Sequence, residues 1–374
     1  MNPKLETLFQ RIISFPSSKL QLCPVAFKRS HPRRDGGRPM QSSRARSPLR
    51  PPQVWVLLLC GGIVVGLTAG MRQVTGLYVP PVRLALDIGI EPFSTALAIA
   101  NLSWGVSAIG AGAMASGIGT FVVLPYLHLF MEAFGWRGSI LAVIATLGAG
   151  LPLVWLLIIQ DQGAPEVSQR PQPLKEALAE AFGLSSYWLL MAAFFICGFH
   201  VAFYAVHLPA YAASLGFGSW VGVASLAAVG AANILGTYLA GQSARYVQQR
   251  RTLSAIYLGR SFVFLGFLFL PLDSVILIVL SALLGFFWLA TMPLTNSLVA
   301  VFFGPVWLST LSGLVFLAHQ IGAFFGVWLA GVLFDATRSY DVMWWVSAAL
   351  GGIAAAVAWP IREEPVARLR EVGT

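Results

Sequence analysis

From about residue 54 onward the chain is written as long apolar runs divided by short polar breaks. The runs fall at about 54–79, 93–112, 114–131, 139–160, 186–212, 220–241, 253–271, 274–302, 307–333 and 342–359. A helix rises 1.5 Å per residue, so about 20 apolar residues cross the hydrocarbon of a bilayer. The pattern therefore predicts about ten membrane-crossing helices. Residues 92–131 carry no formal charge and are too long for one crossing, so Gly110, Gly112 and Gly117 mark the expected break between the second and third. The long polar interior segment 161–185 is a linker. It divides the body into 53–160, with four runs, and 186–360, with six, followed by a short tail, 361–374.

Composition sharpens this picture. Of 374 residues, 57% are hydrophobic and 10% charged, with a mean hydropathy of +0.75. A soluble domain needs roughly 25% charged residues to cover its surface. A soluble enzyme, a nucleic-acid-binding protein and a disordered regulator are thereby excluded, and the bilayer itself is the expected partner. The net charge of +9 resides entirely in residues 1–52, a basic, disordered tail with eleven Lys and Arg against Glu6 and Asp35. That tail lacks the apolar core of a signal peptide. It reads as an upstream extension with Met40 the true start, as a transit-type peptide, or as a tail lying on anionic headgroups.

Lys and Arg concentrate on the cytoplasmic side of multi-pass proteins. With the N-terminus inside and the runs alternating, Arg170, Lys175, Arg245, Arg250, Arg251, Arg362, Arg368 and Arg370 join the basic tail inside, and only Arg83, Arg137 and Arg338 lie outside. Both termini are expected in the cytoplasm, and the location is a cell membrane, most simply a bacterial inner membrane. Cys23, Cys60 and Cys197 have neither disulfide nor metal-ligand spacing and read as small apolar fillers.

A weak repeat relates the two parts. Leu77–Pro80 matches Val206–Pro209, and Ala100-Asn101-Leu102 matches Ala232-Asn233-Ile234. Ile118–Phe121 matches Ile321–Phe324, and Glu132-Ala133 matches Asp335-Ala336. The offset grows by 71 residues between the second and third matches, the length of two crossings with their loops. Duplicated halves are a hallmark of secondary transporters. The first half thus reads as lacking two helices, with the seam near 112–116.

Several segments carry a family likeness. GFHVAFYAVHLPAYAASLG, AIYLGR, MPLTNSLVA, VFLAHQIGAFFG and LFDATRSYD resemble the second half of major facilitator superfamily transporters. GMRQVTGLYVPP resembles a first helix, and SGIGTFVVLP with FGWRGSIL resembles the fifth and sixth helices of the bacterial relatives of monocarboxylate transporters and oxalate/formate antiporters. The likeness spans about 53–364 and implies an all-α polytopic bundle of four plus six helices. Helices three and four of the family pattern are absent from this sequence, as is the Gly-rich loop with Asp and Arg after helix two. In the second half the corresponding loop reads AGQSARYVQQRR, with Arg245 where an Asp is usual.

Polar groups inside a bilayer are costly and mark function or pairing. Arg72, with Gln73 beside it, lies deep in the first run. The resemblance implies a basic residue there that meets a substrate carboxylate, and a guanidinium suits that task because it pairs bidentately. His200 and His207, seven apart on one helix face, and His319-Gln320 are further candidates for lining the path. For each histidine, burial against a protein acceptor is the competing explanation, as snorkelling to the headgroups is for Arg72. Asn101, Asn233 and Arg260 read as structural polar groups between helices. His128 and Glu132 share a face at i, i+4. The Asp and Arg four apart in helix eight of proton-coupled relatives are replaced by Asn233 and Thr237, which favours exchange or facilitated passage. No enzyme motif, cofactor site or metal cluster is recognisable. The expectation is a secondary transporter of a small organic anion working by alternating access, for which a monomer suffices. The alternative is a truncated, non-transporting remnant of one.

Overall fold

The computed structural model describes residues 76, 78–86, 89–92, 94–95, 97–98, 113–160 and 172–371, with backbone alone at 113–125, 149–151 and 153–160. All belong to the unit that begins at Leu49. Most of the runs 54–79 and 93–112 falls outside these residues. So do Arg72, Gln73, Asn101, Cys23 and Cys60.

The helices are α1 (Val79–Leu86), α2 (Ala113–Gln160), α3 (Leu174–Gly183), α4 (Ser185–Ser214), α5 (Ser219–Ser243) and α6 (Gln249–Phe269). After them come α7 (Ser274–Phe286), α8 (Thr291–Phe303), α9 (Leu308–Thr337), α10 (Asp341–Ala358) and α11 (Ala367–Glu371). By length and composition, seven segments of the described chain could cross a membrane. Six lie between Ser185 and Ala358, and the seventh, Tyr126–Gly148, is bent at Gly135. The second half thus has the six crossings its apolar runs predict. Large apolar side chains stand exposed on their outer faces, among them Trp220, Phe262, Val275 and Trp345. Such surface is at home against lipid.

The α2 helix is two arms. Gly135, at φ +68° and ψ −179°, breaks it, a conformation that a Cβ would oppose. Tyr126 Oη meets Thr146 Oγ1 at 3.2 Å, and Ser139 Oγ donates to the Leu127 carbonyl at 3.2 Å. Only arms that fold back on each other bring those residues together, so the predicted runs 114–131 and 139–160 are separate rods around a turn.

Small residues let the second-half helices touch backbone to backbone, the usual economy inside a membrane. The α4 and α9 helices approach so closely that a Cβ on Gly198 would lie 1.8 Å from His319 O, and one on Gly322 1.9 Å from Phe195 O. The α5 helix meets α7 in the same way, with Gly236 against Phe286 O. Serines join α6 to α10, Ser254 donating to Ala355 O at 3.0 Å and Ser261 to Ala348 O at 2.5 Å. From the first half, α2 packs on α5 and α1 on α4.

Two boundaries differ from the apolar pattern. The helix α1 continues through Pro80 and Pro81, where the runs suggest a loop; proline is tolerated in a first turn because its missing N–H has no partner there anyway. The run 274–302 is one crossing built of two helices, broken at 287–290. At the linker end, the chain after α10 crosses back under the second half. Arg362 N donates to Ser186 Oγ, Val366 N to Phe302 O, and Arg250 N to Glu363 Oε1 at 2.8 Å.

Candidate functional site

The break between α7 and α8 leaves backbone groups without helical partners in the middle of a crossing. In hydrocarbon each must be satisfied by protein. Two polar side chains do this. Arg260 of α6, 1% exposed, donates from Nε to Phe287 O at 3.1 Å and from Nη2 to Phe287 O at 2.6 Å and to Trp288 O. Asn233 of α5 accepts the Leu289 N–H at 2.9 Å and the Thr237 hydroxyl at 3.1 Å. Pro293 contributes to the break, since a proline cannot donate to the carbonyl four residues earlier. No carboxylate is ion-paired with Arg260 among the described residues. Carbonyls at a helix C-terminus carry partial negative charge, and they take that place.

Beside this break sits a polar cluster. Arg260 Nη1 donates to the Cys197 sulfur at 3.2 Å, and Cys197 Sγ lies 3.3 Å from Thr291 Oγ1. Cys197 is therefore buried but not an inert filler: its thiol is tied to three helices. His319 adjoins the same thiol. Its Nδ1 faces Gln320 Oε1 at 3.1 Å, and its ring stacks on Phe316 at 5.6 Å. His319, Gln320 and Arg260 are thus brought into one neighbourhood.

His200 and His207 share a face of α4 but meet different partners. His200 Nε2 faces Ser347 O on α10 at 2.9 Å. His207 lies at the other end of that face, where Nε2 reaches Val327 O at 3.1 Å and Ser94 Oγ at 3.4 Å, and Nδ1 meets Tyr340 Oη at 3.1 Å. A carbonyl only accepts, so Nε2 carries the proton and Nδ1 accepts from the phenol. Burial pushes the Tyr340 phenol well above its ordinary pKa, which keeps that donor in place.

Ser94 belongs to the first half, and a second contact lies next to it. Asp335, near the end of α9, accepts the Ile90 N–H at 3.3 Å and the Glu91 N–H at 2.8 Å, where a helical turn begins. It caps that turn from another helix, where both the hydrogen bonds and the local dipole favour a carboxylate. Gly89 and Gly331 permit the approach: a Cβ on either would fall within 3 Å of Asp335 Oδ2 and of Ser94 respectively. At the same end, a Cβ on Gly76 would lie 2.3 Å from Ala205 O, the carbonyl that Pro209 leaves without its helical donor. In the sequence Asp335 stands out as the repeat partner of Glu132, and Asp335 and Tyr340 both lie in the family-like segment LFDATRSYD. Nothing there marks either as a contact between the halves, and Ser94 lies outside every family-like segment. Glu132 itself is 61% exposed and meets His128 Nε2 at 3.2 Å.

The profile of the Major Facilitator Superfamily matches residues 106–327. Monocarboxylate transporter 12 of Mus musculus is 26% identical over 64% of this chain and 55% of its own length. Its Homo sapiens counterpart is 27% identical over 64% and 52%. The chain therefore spans about half the length of these curated relatives. Among solved structures, a bacterial homologue of the human lysosomal transporter Spinster, inward-facing and unoccupied, aligns over 84% of this chain and 95% of its own. The TM-score is 0.52 at 11% identity, a likeness of fold alone. The matched profile covers more than half the sequence, and the chain belongs to the Major Facilitator Superfamily.

Proposed function

We propose that this chain is a secondary transporter that carries a small organic anion, monocarboxylate-like, by alternating access. The observation that supports this reading best is the pair of contacts joining the two parts of the chain at one end: Asp335 on the turn at residues 90–91, and His207 on Ser94. The first is between a carboxylate and two backbone N–H groups and the second between two side chains, so both are polar. Such contacts can be broken and remade while each set of helices stays intact, as rocking about a central site requires. Membership of the family supports the transport function, and similarity to proteins named monocarboxylate transporters favours this substrate class. In this reading both termini face the cytoplasm, and the joined end is the outer one.

Arg72 and Gln73 bind the carboxylate, and His200, His207, His319 and Gln320 furnish the polar groups of the second half. Asn101 is a structural hydrogen-bonding group, like Asn233 and Arg260. A bidentate, charge-assisted pair is worth about 1.5–3 kcal/mol. Arg72→Ala is therefore expected to raise the KM for carboxylate uptake roughly 10- to 100-fold, with Arg72→Lys in between because it keeps the charge and loses the fork. Uptake of a labelled carboxylate into proteoliposomes measures this, and equal KM values for all three chains would remove Arg72 from the binding site. Uptake that is absent even for the intact, stably inserted chain would favour the remnant reading.

A further inference from the structure

A cavity of about 240 Å³ lies between α5, α6 and the α7–α8 break. Gly236, Ala240, Ala255, Ile256, Phe286 and Ala290 line it, so its wall is almost wholly apolar and shaped by small residues. The cavity is open on one side, and its apolar wall offers water few partners. At one end it reaches Ser243 and Thr252, where α5 ends and α6 begins. The Ser243 hydroxyl donates to Ala240 O at 2.7 Å and lies 3.4 Å from Thr252 Oγ1, so its proton is already taken within the protein.

The loop over this mouth is basic. Arg245 and Arg251 are exposed, and neither is ion-paired with a carboxylate among the described residues. Arg250 lies between them. Its guanidinium donates to Gln248 Oε1 and to the carbonyls of Trp359 and Ile361, while Glu363 caps its backbone N–H. Tyr246, 84% exposed, and Trp359, 60% exposed, flank the arginines. Such aromatics sit at the headgroup level of a bilayer. An apolar slot opening beneath arginines without carboxylate partners at an aromatic interface matches one chemistry: an acyl chain joined to an anionic headgroup.

We propose that this crevice binds an anionic phospholipid, with an acyl chain between α5, α6 and α7–α8 and the phosphate held by Arg245 and Arg251. The site is independent of what the chain carries. It lies on the loop that the charge bias assigns to the cytoplasm, so the lipid comes from that leaflet. Occupancy braces the α7–α8 break, which Arg260 holds through Phe287 and Trp288.

The test is native mass spectrometry of the full chain in detergent, with phosphatidylglycerol, phosphatidylcholine or inorganic phosphate added. One phosphatidylglycerol is expected to bind where phosphatidylcholine does not. Each arginine near the headgroups contributes roughly fivefold, so Arg245→Gln with Arg251→Gln lowers phosphatidylglycerol affinity about 25-fold, and the double Lys variant retains it. Ala255→Leu, which narrows the crevice from its exposed side, lowers lipid binding without touching the arginines. Equal binding of the two lipids, or phosphatidylglycerol binding unchanged in the Gln pair, overturns the proposal. Displacement of the lipid by inorganic phosphate together with an inert Ala255→Leu also overturns it, in favour of a phosphate site.

Discussion

Replacing Arg260 by Met is expected to destabilise the folded bundle by about 2–5 kcal/mol. The guanidinium satisfies the carbonyls of Phe287 and Trp288 in the middle of a crossing, and no water replaces it there. Methionine fills the volume and removes a buried charge, which returns some desolvation energy. It leaves two carbonyls unsatisfied, at about 1–3 kcal/mol each. Lysine restores the charge but not the fork that reaches both carbonyls and the Cys197 thiol, so it should fall in between. Asn233→Ala acts on the same break through Leu289, and the two substitutions should be non-additive because they share one structural element. Thermal unfolding of the purified protein in detergent compares the parent with the three single variants and the Arg260→Met, Asn233→Ala double variant. Equal stability of Arg260→Met and the parent would mean that the break holds without Arg260.

The second large effect concerns the outer contact. Asp335→Ala removes a carboxylate from two backbone donors at the start of a helical turn, an interaction worth about 1.5–3 kcal/mol. If the contact holds one end closed, the open fraction rises roughly 10- to 100-fold. Ser94→Cys reports this directly, because Ser94 is fully buried behind the contact. With Cys23 and Cys60 replaced by Ser and the buried Cys197 left in place, a membrane-impermeant maleimide should label Cys at position 94 at least about tenfold faster in the Asp335→Ala background. Gly89→Ala should do the same from the opposite side, since its Cβ would sit 2.6 Å from Asp335 Oδ2. Labelling rates equal to the parent in both backgrounds would show that this contact does not govern access.

These two elements also mark the limit of what the sequence discloses. Ten apolar runs, the linker and the six crossings from Ser185 to Ala358 are written in hydropathy, because burial in lipid depends on composition over about 20 residues. The split at 287–290 is not, because its residues are as apolar as their neighbours. The hint was Pro293, which costs a hydrogen bond one turn back without changing hydropathy. Asn233 and Arg260 are conspicuous as polar residues in apolar runs, yet nothing local says that their partners are the backbone of a third helix. The Asp335 contact joins residues 244 and 245 positions apart. Its carboxylate lies at a helix end, where an Asp is unremarkable.

The histidines teach a related lesson. A spacing of seven places His200 and His207 on one face, and the structure keeps them there. That face runs along two different neighbours, so one ring meets Ser347 on α10 and the other meets Val327, Tyr340 and Ser94. Spacing along one helix fixes a direction, while the partner depends on how the helices cross.

The most direct measurement is exchange of a labelled carboxylate across proteoliposomes holding the purified, full-length chain. The account predicts saturable uptake that speeds up when the same unlabelled anion is loaded inside, and that does so for organic anions but not for neutral analogues of equal size. A chain that inserts stably, unfolds cooperatively and moves none of a broad carboxylate panel would contradict it.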